Sequence, residues 1–401
     1  MSSSKPIPLK EAQRRFRDLV KPLETQTVPV EQAVGRYLAV PLVANRTQPA
    51  ADLSAMDGYA MREDDLAGPW RIVGESAAGH PFAGSLAPGE AVRISTGAFM
   101  PADAGAVLMQ ENATREGDKL KLAEADGPTA RHIRRAGFDF AAEDSLLPQG
   151  IRVDPPQVAL AIAAGHAQLR VHARPTIAIL DSGDELAADP TAFALHQIPA
   201  SNGAMLAAMA GPFAAKVQRL GPVRDEMDAM LAALHEAGDA DVIVTSGGAS
   251  VGDHDLVRPA LAKWGATIDF WKIAIKPGKP LLLARKGSQI ILGLPGNPVS
   301  SYVTAYLFLL PMLRRLSGAH AADPEPVTAT LAEALPAIGD RDEFVRARLE
   351  MGRAVPLSQQ DSSGLSALAK AQVLIHRPAG AGAASAGDLV RAFPLRNGGI
   401  A

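Results

Sequence analysis

Residues 241–255 read "DVIVTSGGASVGDHD", and this stretch is the most informative about the fold. The apolar run that ends at Thr245 predicts a buried strand. The paired glycines Gly247 and Gly248 then allow a tight turn in which backbone amides approach a ligand. A helix is expected to begin near Asp253, and its free amides would favour an anion. From these residues alone, an anion-binding turn and a plain strand-to-helix connection are equally good interpretations.

The segments around this stretch alternate between strand-like and helix-like patterns. Short apolar runs predict strands and longer runs predict helices, in the order "TIAIL", "NGAMLAAMA", "AKVQRL", "RDEMDAMLAALHEAG", "DVIVT" and "QIILGLPGNP". Strands that alternate with helices of this length favour a parallel sheet with crossover helices. The sequence therefore predicts an α/β domain with its glycine turn at the carboxyl ends of the strands, where open α/β sheets bind ligands.

The chain has a different character on either side of this domain. A helical pattern at 9–20 and another that starts after Asp154 flank short alternating runs, which predict a β-rich insertion into a helical region. Beyond residue 322, strand-like runs follow one another without a long helix between them. This pattern predicts a small β-barrel or sandwich at the C-terminus.

The composition excludes several classes of site and partner. The 401 residues include no cysteine, which excludes disulfides, thiolate metal sites and cysteine nucleophiles. A net charge of −3 from 40 basic and 43 acidic residues gives no overall field that would attract nucleic acid. The start has no signal-peptide pattern and Pro311 interrupts the longest apolar run, so we expect a soluble, cytoplasmic protein that does not enter a membrane.

Acidic residues follow the first predicted strand of the α/β domain, in "LDSGDEL". Asp184 and Glu185 would lie at the same edge of the sheet as Asp253 and Asp255. Several carboxylates at one edge can bind a hard divalent cation such as magnesium. For any one of these acids a solvated turn is the more common outcome, and the residues alone leave both interpretations open.

Two turns rich in proline and glycine follow, "IKPGKP" (275–280) and "LPGNPVS" (294–300). Lys276 and Lys279 lie on the first turn, whose prolines restrict the backbone and so lower the entropic cost of binding an anion. The second turn offers glycine backbone and Ser300 as donors at a helix start. Exposed lysines are usually a solvated face, but beside a carboxylate edge these turns favour phosphoryl or other oxyanion chemistry.

Two further motifs, "SAMDGYAM" (54–61) and "RISTGAFMP" (93–101), are only turn signals when each is taken alone. Together with "TSGGASVGDHD", "FWKIAIKPGKP", "GLPGNPVS" and "GLSALAKAQ", in this order, they resemble the molybdopterin molybdenumtransferases, the MoeA family that includes the E domain of gephyrin. The resemblance covers nearly the whole chain. It implies an elongated homodimer whose chains have four subdomains, the third sharing its fold with molybdopterin adenylyltransferases and the last being a β-barrel.

The resemblance and the patterns together give an expected division of the chain. The expected units are a discontinuous helical subdomain I at 1–45 and 139–173, a β-rich subdomain II at 46–138, a molybdopterin-binding α/β subdomain III at 174–320, and a C-terminal β-barrel subdomain IV at 321–401.

The resemblance implies that the chain inserts molybdenum from molybdate, a substrate, into adenylylated molybdopterin, with Mg²⁺-dependent release of AMP. The positions that it links to activity are Asp57, Thr96, Asp139, Glu185, Asp225 and Asp255, with Glu185 and Asp255 as magnesium ligands. The implied substrate-binding positions are Ser246, Gly247, Gly248, Ser250, Lys272, Lys276, Lys279, Pro280 and Ser300. The implied molybdate-binding positions are Lys276, Lys279, Ser300, Arg346 and Ser362. No cysteine or histidine ligand is needed, because the dithiolene of the pterin itself captures the metal.

The chain departs from the family pattern at several positions. Phe99 stands where proline is usual, Asp103 and Gly105 are effectively exchanged, Phe138 replaces a polar residue, and Ala200 stands where an acid is frequent. These departures leave details of the second subdomain open.

Two other functions compete with this one. A molybdopterin adenylyltransferase would suit the α/β domain alone, but the long N-terminal half and the β-rich C-terminus argue against it. A non-catalytic molybdopterin-binding scaffold would need a long linker or a further domain, and the sequence offers neither. The expected partners, besides a second copy of the chain, are the molybdopterin adenylyltransferase and apoenzymes that accept the cofactor. Molybdate and tungstate are nearly isosteric, so the sequence does not distinguish them.

Overall fold

The structure is a computed structural model, and it describes residues 5–123, 126–247 and 256–395. The N-terminal region begins with an amphipathic helix and continues mainly as short strands. Its elements are, in chain order, α1 (Leu9–Leu19), β1 (Thr25–Pro29), β2 (Leu42–Val43), β3 (Leu53–Ser54), β4 (Gly58–Arg62), β5 (Trp70–Ser76), β6 (Glu90–Ile94), β7 (Ala104–Met109), β8 (Ala113–Glu116), β9 (Lys119–Leu122), β10 (Ile133–Arg134), β11 (Ser145–Leu147), α2 (Pro155–Ala163) and β12 (Gln168–His172).

The β-rich insertion expected from the sequence is confirmed as one sheet of six strands within the described residues. Its strand order is β7-β4-β6-β5-β9-β8. Apolar side chains on one face of this sheet, including Met61, Trp70 and Leu120, form a separate small core. Three of its strands, β6, β7 and β9, correspond to the short alternating runs from which the sequence predicted the insertion.

The segments before and after the insertion pack against each other. β1 pairs antiparallel with β12, and β2 with β11. The helix α2 begins where the sequence predicts, with Asp154 as its N-cap and Pro155 in the first turn. In addition, Gln157 completes a capping box with Asp154. The helix α1 packs elsewhere: Phe16 is buried against the α/β region, with its ring 5.8 Å from that of Phe308. The domain boundaries given above stay predictions.

The α/β region contains the elements that form the cleft. In chain order they are β13 (Thr176–Ser182), β14 (Leu186–Ala187), β15 (Ile198–Pro199), α3 (Asn202–Ala210), β16 (Lys216–Val223), α4 (Met227–Glu236), β17 (Val242–Ser246), α5 (Val257–Lys263), β18 (Thr267–Lys272), β19 (Ile275–Lys276), β20 (Pro280–Lys286), β21 (Gln289–Leu294), α6 (Pro298–Thr304) and α7 (Leu310–Leu316), with a π-helical segment Ala305–Leu309 between the last two.

The main sheet of this region has the order β16-β13-β17-β21-β20-β18 among the described residues. The first four strands are parallel, as predicted from the alternation of strands and helices. β20 and β18 extend the sheet in the antiparallel direction, which the apolar pattern did not reveal. Both faces are covered: Ile177 and Ile179 pack into one core and Ala178 and Leu180 into the other. Because the strands are buried on both sides, polar side chains concentrate at their carboxyl ends.

The C-terminal region is a small β-barrel, as predicted. Its elements are β22 (Val327–Leu331), β23 (Asp342–Glu350), β24 (Arg353–Pro356), α8 (Leu365–Lys370), β25 (Val373–Arg377) and β26 (Leu389–Pro394). The strands close in the order β23-β24-β22-β26-β25, and β25 pairs again with β23. The short strand β19 of the α/β region pairs in parallel with the start of β23, where Lys276 lies opposite Glu343. The "IKPGKP" turn therefore connects the main sheet to the barrel.

Across the part of the chain that the structure describes, every helix is too short or too polar to cross a membrane.

Candidate functional site

A cleft of about 870 Å³ opens at the carboxyl ends of β13, β17 and β21. This is the edge of the sheet at which open α/β folds bind ligands. Its lining residues are Asp181, Ser182, Gly183, Glu185, Leu186, Ile198, Pro199, Ala200, Ser201, Asn202, Asp225, Ser246, Gly247, Pro280, Pro295, Gly296, Asn297, Pro298, Ser300, Ser363 and Leu365. Six of the residues expected from the sequence are among them: Glu185, Asp225, Ser246, Gly247, Pro280 and Ser300.

Two glycine-containing turns form one wall of the cleft, and the side chain of Asn202 holds them together. Its amide nitrogen Nδ2 donates to Ser246 Oγ at 2.9 Å and to the carbonyl of Gly296 at 2.6 Å. Gly247 has a φ of +95°, and a Cβ there would lie 2.5 Å from the carbonyl oxygen of Ser182. Only glycine fits this turn, so its backbone lies exposed to a ligand without side-chain obstruction.

The acidic wall of the cleft is formed by Glu185 and Asp225. Asp225 also connects two loops, because its carboxylate accepts from the backbone N–H of Asp184 at 3.4 Å and its own N–H donates to Asp184 Oδ1 at 3.2 Å. No group of three histidine, aspartate or glutamate residues close enough to hold a metal occurs among the described residues. The other predicted residues of this wall and of the "TSGG" turn, Gly248, Ser250 and Asp255, lie outside the described residues.

The lysines of the basic segment are placed in three different ways. The Nζ of Lys276 is paired with Glu343 of the barrel at 2.9 Å. Lys272 Nζ lies 3.8 Å from the centre of the Trp271 ring, a cation–π contact. Lys279 is exposed, and its side chain makes no hydrogen bond or ion pair with any described residue. The lysines do not themselves line the cleft, whereas Pro280, next to Lys279, does.

The barrel contributes a loop to the cleft, and Arg346 holds that loop in place. Arg346 is buried, and its Nη2 donates to the carbonyls of Gln359 and Asp361, both at 2.9 Å. Burial lowers the pKa of this guanidinium. Its Nε and Nη1 have no hydrogen-bond partner among the described residues.

The next residue of the loop docks on the start of α6. The Oγ of Ser362 accepts from Asn297 Nδ2 at 2.9 Å, and its carbonyl accepts from the N–H of Val299 at 3.1 Å. Ser363, the residue that follows Ser362, lines the cleft. The barrel loop and the "LPGNP" turn are therefore one hydrogen-bonded unit.

The three predicted site residues of the N-terminal region lie apart from the cleft of their own chain. The backbone N–H of Thr96 donates to Asp57 Oδ1 at 2.7 Å, which lowers the pKa of the Asp57 carboxyl. Asp139 is exposed, and its backbone N–H donates to the carbonyl of Gln48 at 3.0 Å. Among the described residues that line the cleft, none comes from the N-terminal region.

Sequence reasoning missed three residues with prominent positions in the cleft. Asp181 is buried with its carboxylate against the start of α3, Asn202 connects the two turns, and Asn297 holds the barrel loop. For Asp181, a sequence signal was available, because it is a polar residue near the end of the otherwise apolar strand "TIAILDS". The side-chain hydrogen bonds of Asn202 and Asn297 leave no local pattern in the sequence, because their partners are about 40 to 100 positions away.

Three family descriptions match successive parts of this chain. Residues 7–165 match the MoeA N-terminal region (domain I and II), residues 178–315 a probable molybdopterin binding domain, and residues 328–395 the MoeA C-terminal region (domain IV).

Individual proteins match over most of the chain. The molybdopterin molybdenumtransferase of Nostoc sp. is 34% identical over 340 residues, which are 82% of this chain and 78% of that protein. The molybdopterin molybdenumtransferase of Bacillus subtilis is 32% identical over 406 residues, covering 98% of this chain and 94% of that protein. The crystal structure of the molybdopterin biosynthesis MoeA protein from Pyrococcus horikoshii OT3 superposes with a TM-score of 0.85 at 26% identity, covering 97% of this chain and 100% of that chain.

Proposed function

Because this chain belongs to the MoeA family of molybdopterin molybdenumtransferases, we propose that it acts in molybdenum cofactor biosynthesis. It inserts molybdenum from molybdate into adenylylated molybdopterin and releases AMP. The single observation that carries this proposal is the cleft, whose lining includes both the acidic wall, Glu185 and Asp225, and the glycine turns at Gly247 and Gly296. A ligand with phosphates and a bound cation matches both walls.

The glycine turns suit the phosphates of the substrate. Gly247 leaves its turn open to a ligand, and Ser300 offers a hydroxyl at the start of α6. Asn202 fixes the distance between the two turns, so their donors are positioned before the ligand arrives. Donors that need no reorganisation stabilise developing charge most effectively during phosphoryl chemistry.

The acidic wall suits magnesium. Glu185 and Asp225 supply the carboxylate oxygens that this ion prefers, and Asp255 is proposed to complete the set together with water. When bound, magnesium would neutralise charge on the pyrophosphate link. The chain's own residues then have two tasks, to hold the nucleotide phosphates against the turns and to exclude other orientations of that link.

Molybdate is proposed to bind where the basic turn meets the barrel. Lys279 carries a charge without a partner among the described residues, and Lys276 can exchange its pairing with Glu343 for an oxyanion. Arg346 has two guanidinium nitrogens without partners in the described part of the chain, and it holds the loop that carries Ser362. A tetrahedral dianion requires such cationic and hydroxyl donors.

We further propose that the working unit is a cytoplasmic homodimer. Asp57, Thr96 and Asp139 are separate from the cleft of their own chain, which supports their contribution to the cleft of the partner subunit. The molybdopterin adenylyltransferase and cofactor-accepting apoenzymes are the proposed functional partners on either side of this reaction.

The test is AMP release from adenylylated molybdopterin. Purified protein is incubated with this substrate and Mg²⁺, with and without molybdate, and AMP is measured by chromatography. AMP release that requires both Mg²⁺ and molybdate is expected. Formation of adenylylated molybdopterin from ATP and molybdopterin, without molybdate-dependent AMP release, would assign the chain to the adenylyltransferase reaction instead.

A further inference from the structure

Asp181 is a buried carboxylate in the cleft that none of the roles above uses. Asp181 lies near the carboxyl end of β13 and lines the cleft, and it is only 4% exposed. A charged group at this depth is rare in proteins unless it is paired or has a specific role. Asp181 therefore requires an explanation of its own.

One of its two oxygens is fixed by the fold. Oδ2 accepts from the backbone N–H of Gly203 in the first turn of α3, at 3.0 Å. A Cβ at residue 203 would overlap this carboxylate, so glycine is required there for the contact to form. The neighbouring Asn202 holds both glycine turns, so the carboxylate and the turns form one rigid assembly.

The other oxygen is unpaired. Oδ1 has no hydrogen-bond partner among the described residues. Burial also raises the pKa of Asp181, partly opposed by the Gly203 hydrogen bond and the charge of Arg219. An unpaired buried acceptor is costly, and it is retained where a ligand supplies the missing donor.

The chemistry of the cleft limits what that donor can be. A phosphate group brings negative charge and repels a carboxylate. Magnesium is assigned above to Glu185, Asp225 and Asp255, and Asp181 belongs to no group of three acidic or histidine residues that could hold a metal among the described residues. A neutral hydrogen-bond donor is the remaining match, and the substrate proposed above carries N–H groups on two heterocycles, the pterin and the adenine.

We infer that Asp181 is a substrate-recognition residue whose free oxygen Oδ1 accepts a hydrogen bond from an N–H of a heterocycle of the substrate. This inference rests on the proposed function for the identity of the heterocycle.

The experiment measures binding of three probes by calorimetry: AMP for the adenine, neopterin for the pterin, and inorganic pyrophosphate for the phosphates. The variant is Asp181→Asn. Its amide oxygen can still accept from Gly203, but its amide nitrogen replaces Oδ1, so two hydrogen-bond donors face each other and the hydrogen bond to the ligand is lost. Affinity for AMP or for neopterin is expected to fall at least tenfold, and the probe that loses affinity identifies the heterocycle. Pyrophosphate binding and the melting temperature are expected to stay unchanged.

The matched control is Asp189→Asn. Asp189 is an exposed carboxylate outside the cleft that accepts from Thr191, and its variant is expected to bind all three probes as the wild type does. Equal losses for all three probes, unchanged affinities, or a lowered melting temperature with unchanged affinities would each overturn the inference.

A second variant tests whether the carboxylate itself is what the ligand requires. Asp181→Ser removes the acid and leaves a small hydroxyl in its place. Loss of AMP or neopterin affinity with unchanged pyrophosphate affinity is expected, and retained affinity for both AMP and neopterin would count against recognition by the carboxylate. The wild-type AMP-release assay is independent of these titrations, so a failure of the proposed reaction and a failure of this inference are distinguishable.

Discussion

Replacing Lys279 by alanine is expected to weaken molybdate binding while leaving the fold intact. The Lys279 ammonium is exposed and has no partner among the described residues, so its full charge is available to an oxyanion. The backbone of the same residue is fixed, because its carbonyl accepts from the N–H of Ile273 at 3.0 Å. The change to alanine keeps that backbone bond and removes only the charged donor.

The expected loss follows from the interaction removed. A hydrogen bond to a charged group contributes about 1.5–3 kcal/mol. This corresponds to roughly one to two decades in apparent molybdate affinity. The free energy of unfolding should change by no more than about 0.5 kcal/mol, as for other exposed positions.

Lys276 provides an internal comparison. It is paired with Glu343 at 2.9 Å, and both side chains are partly exposed. Such a pair contributes about 0–1 kcal/mol to stability, and molybdate must compete with it for the ammonium. Lys276→Ala should therefore reduce molybdate affinity less than Lys279→Ala.

The assay is the rate of AMP release as molybdate is titrated at fixed adenylylated molybdopterin, with a parallel titration of the nucleotide substrate. Lys216→Ala is the matched control, because Lys216 is exposed at the opposite end of the parallel strands. Equal losses of affinity for molybdate and nucleotide in Lys279→Ala would mean that the turn is a general phosphate or structural site. An unchanged molybdate titration would refute the assignment altogether.

Three further predictions test other parts of the site. Glu185→Gln and Asp255→Asn should each raise the Mg²⁺ concentration needed for half-maximal AMP release, and a wild-type Mg²⁺ dependence in Asp255→Asn would contradict a role for that carboxylate. Asn202→Ala removes two hydrogen bonds, each of which contributes about 0.5–1.5 kcal/mol. The free energy of unfolding, measured by urea denaturation, should therefore fall by about 1–3 kcal/mol. An unchanged denaturation midpoint would show that the amide does not hold the turns. Mixing Asp57→Asn with Glu185→Gln, at a Mg²⁺ concentration too low for Glu185→Gln to release AMP, should restore part of the activity if the partner subunit completes the cleft. Sedimentation as a fully active monomer would exclude a shared site.

The sequence predicted those parts of the fold whose pattern is local. The strands that contain Ile179 and Val244 read as apolar runs because the sheet is buried on both faces. The helix that follows Asp154 was predicted at its observed start because its capping residues are adjacent in sequence.

The parts that were not predicted depend on contacts between distant residues. The antiparallel direction of β20 and β18 is set by their pairing, and an apolar run carries no direction. The ion pair of Lys276 arises because β19 joins the barrel, and the glycine and proline signals in "IKPGKP" indicated only a turn. Likewise, the burial of Asp181 depends on where α3 begins and on the missing side chain at Gly203.

The proposed reaction is tested most directly by the stoichiometry of its two products. Purified protein is incubated with adenylylated molybdopterin, Mg²⁺ and molybdate, after which AMP is quantified by chromatography and molybdenum in the isolated pterin by mass spectrometry. One molybdenum atom in the pterin for each AMP released, with neither product formed when molybdate is omitted, is the predicted result. AMP released without molybdenum in the pterin, or molybdenum incorporated without AMP release, would contradict the proposed coupling of the two events in this cleft.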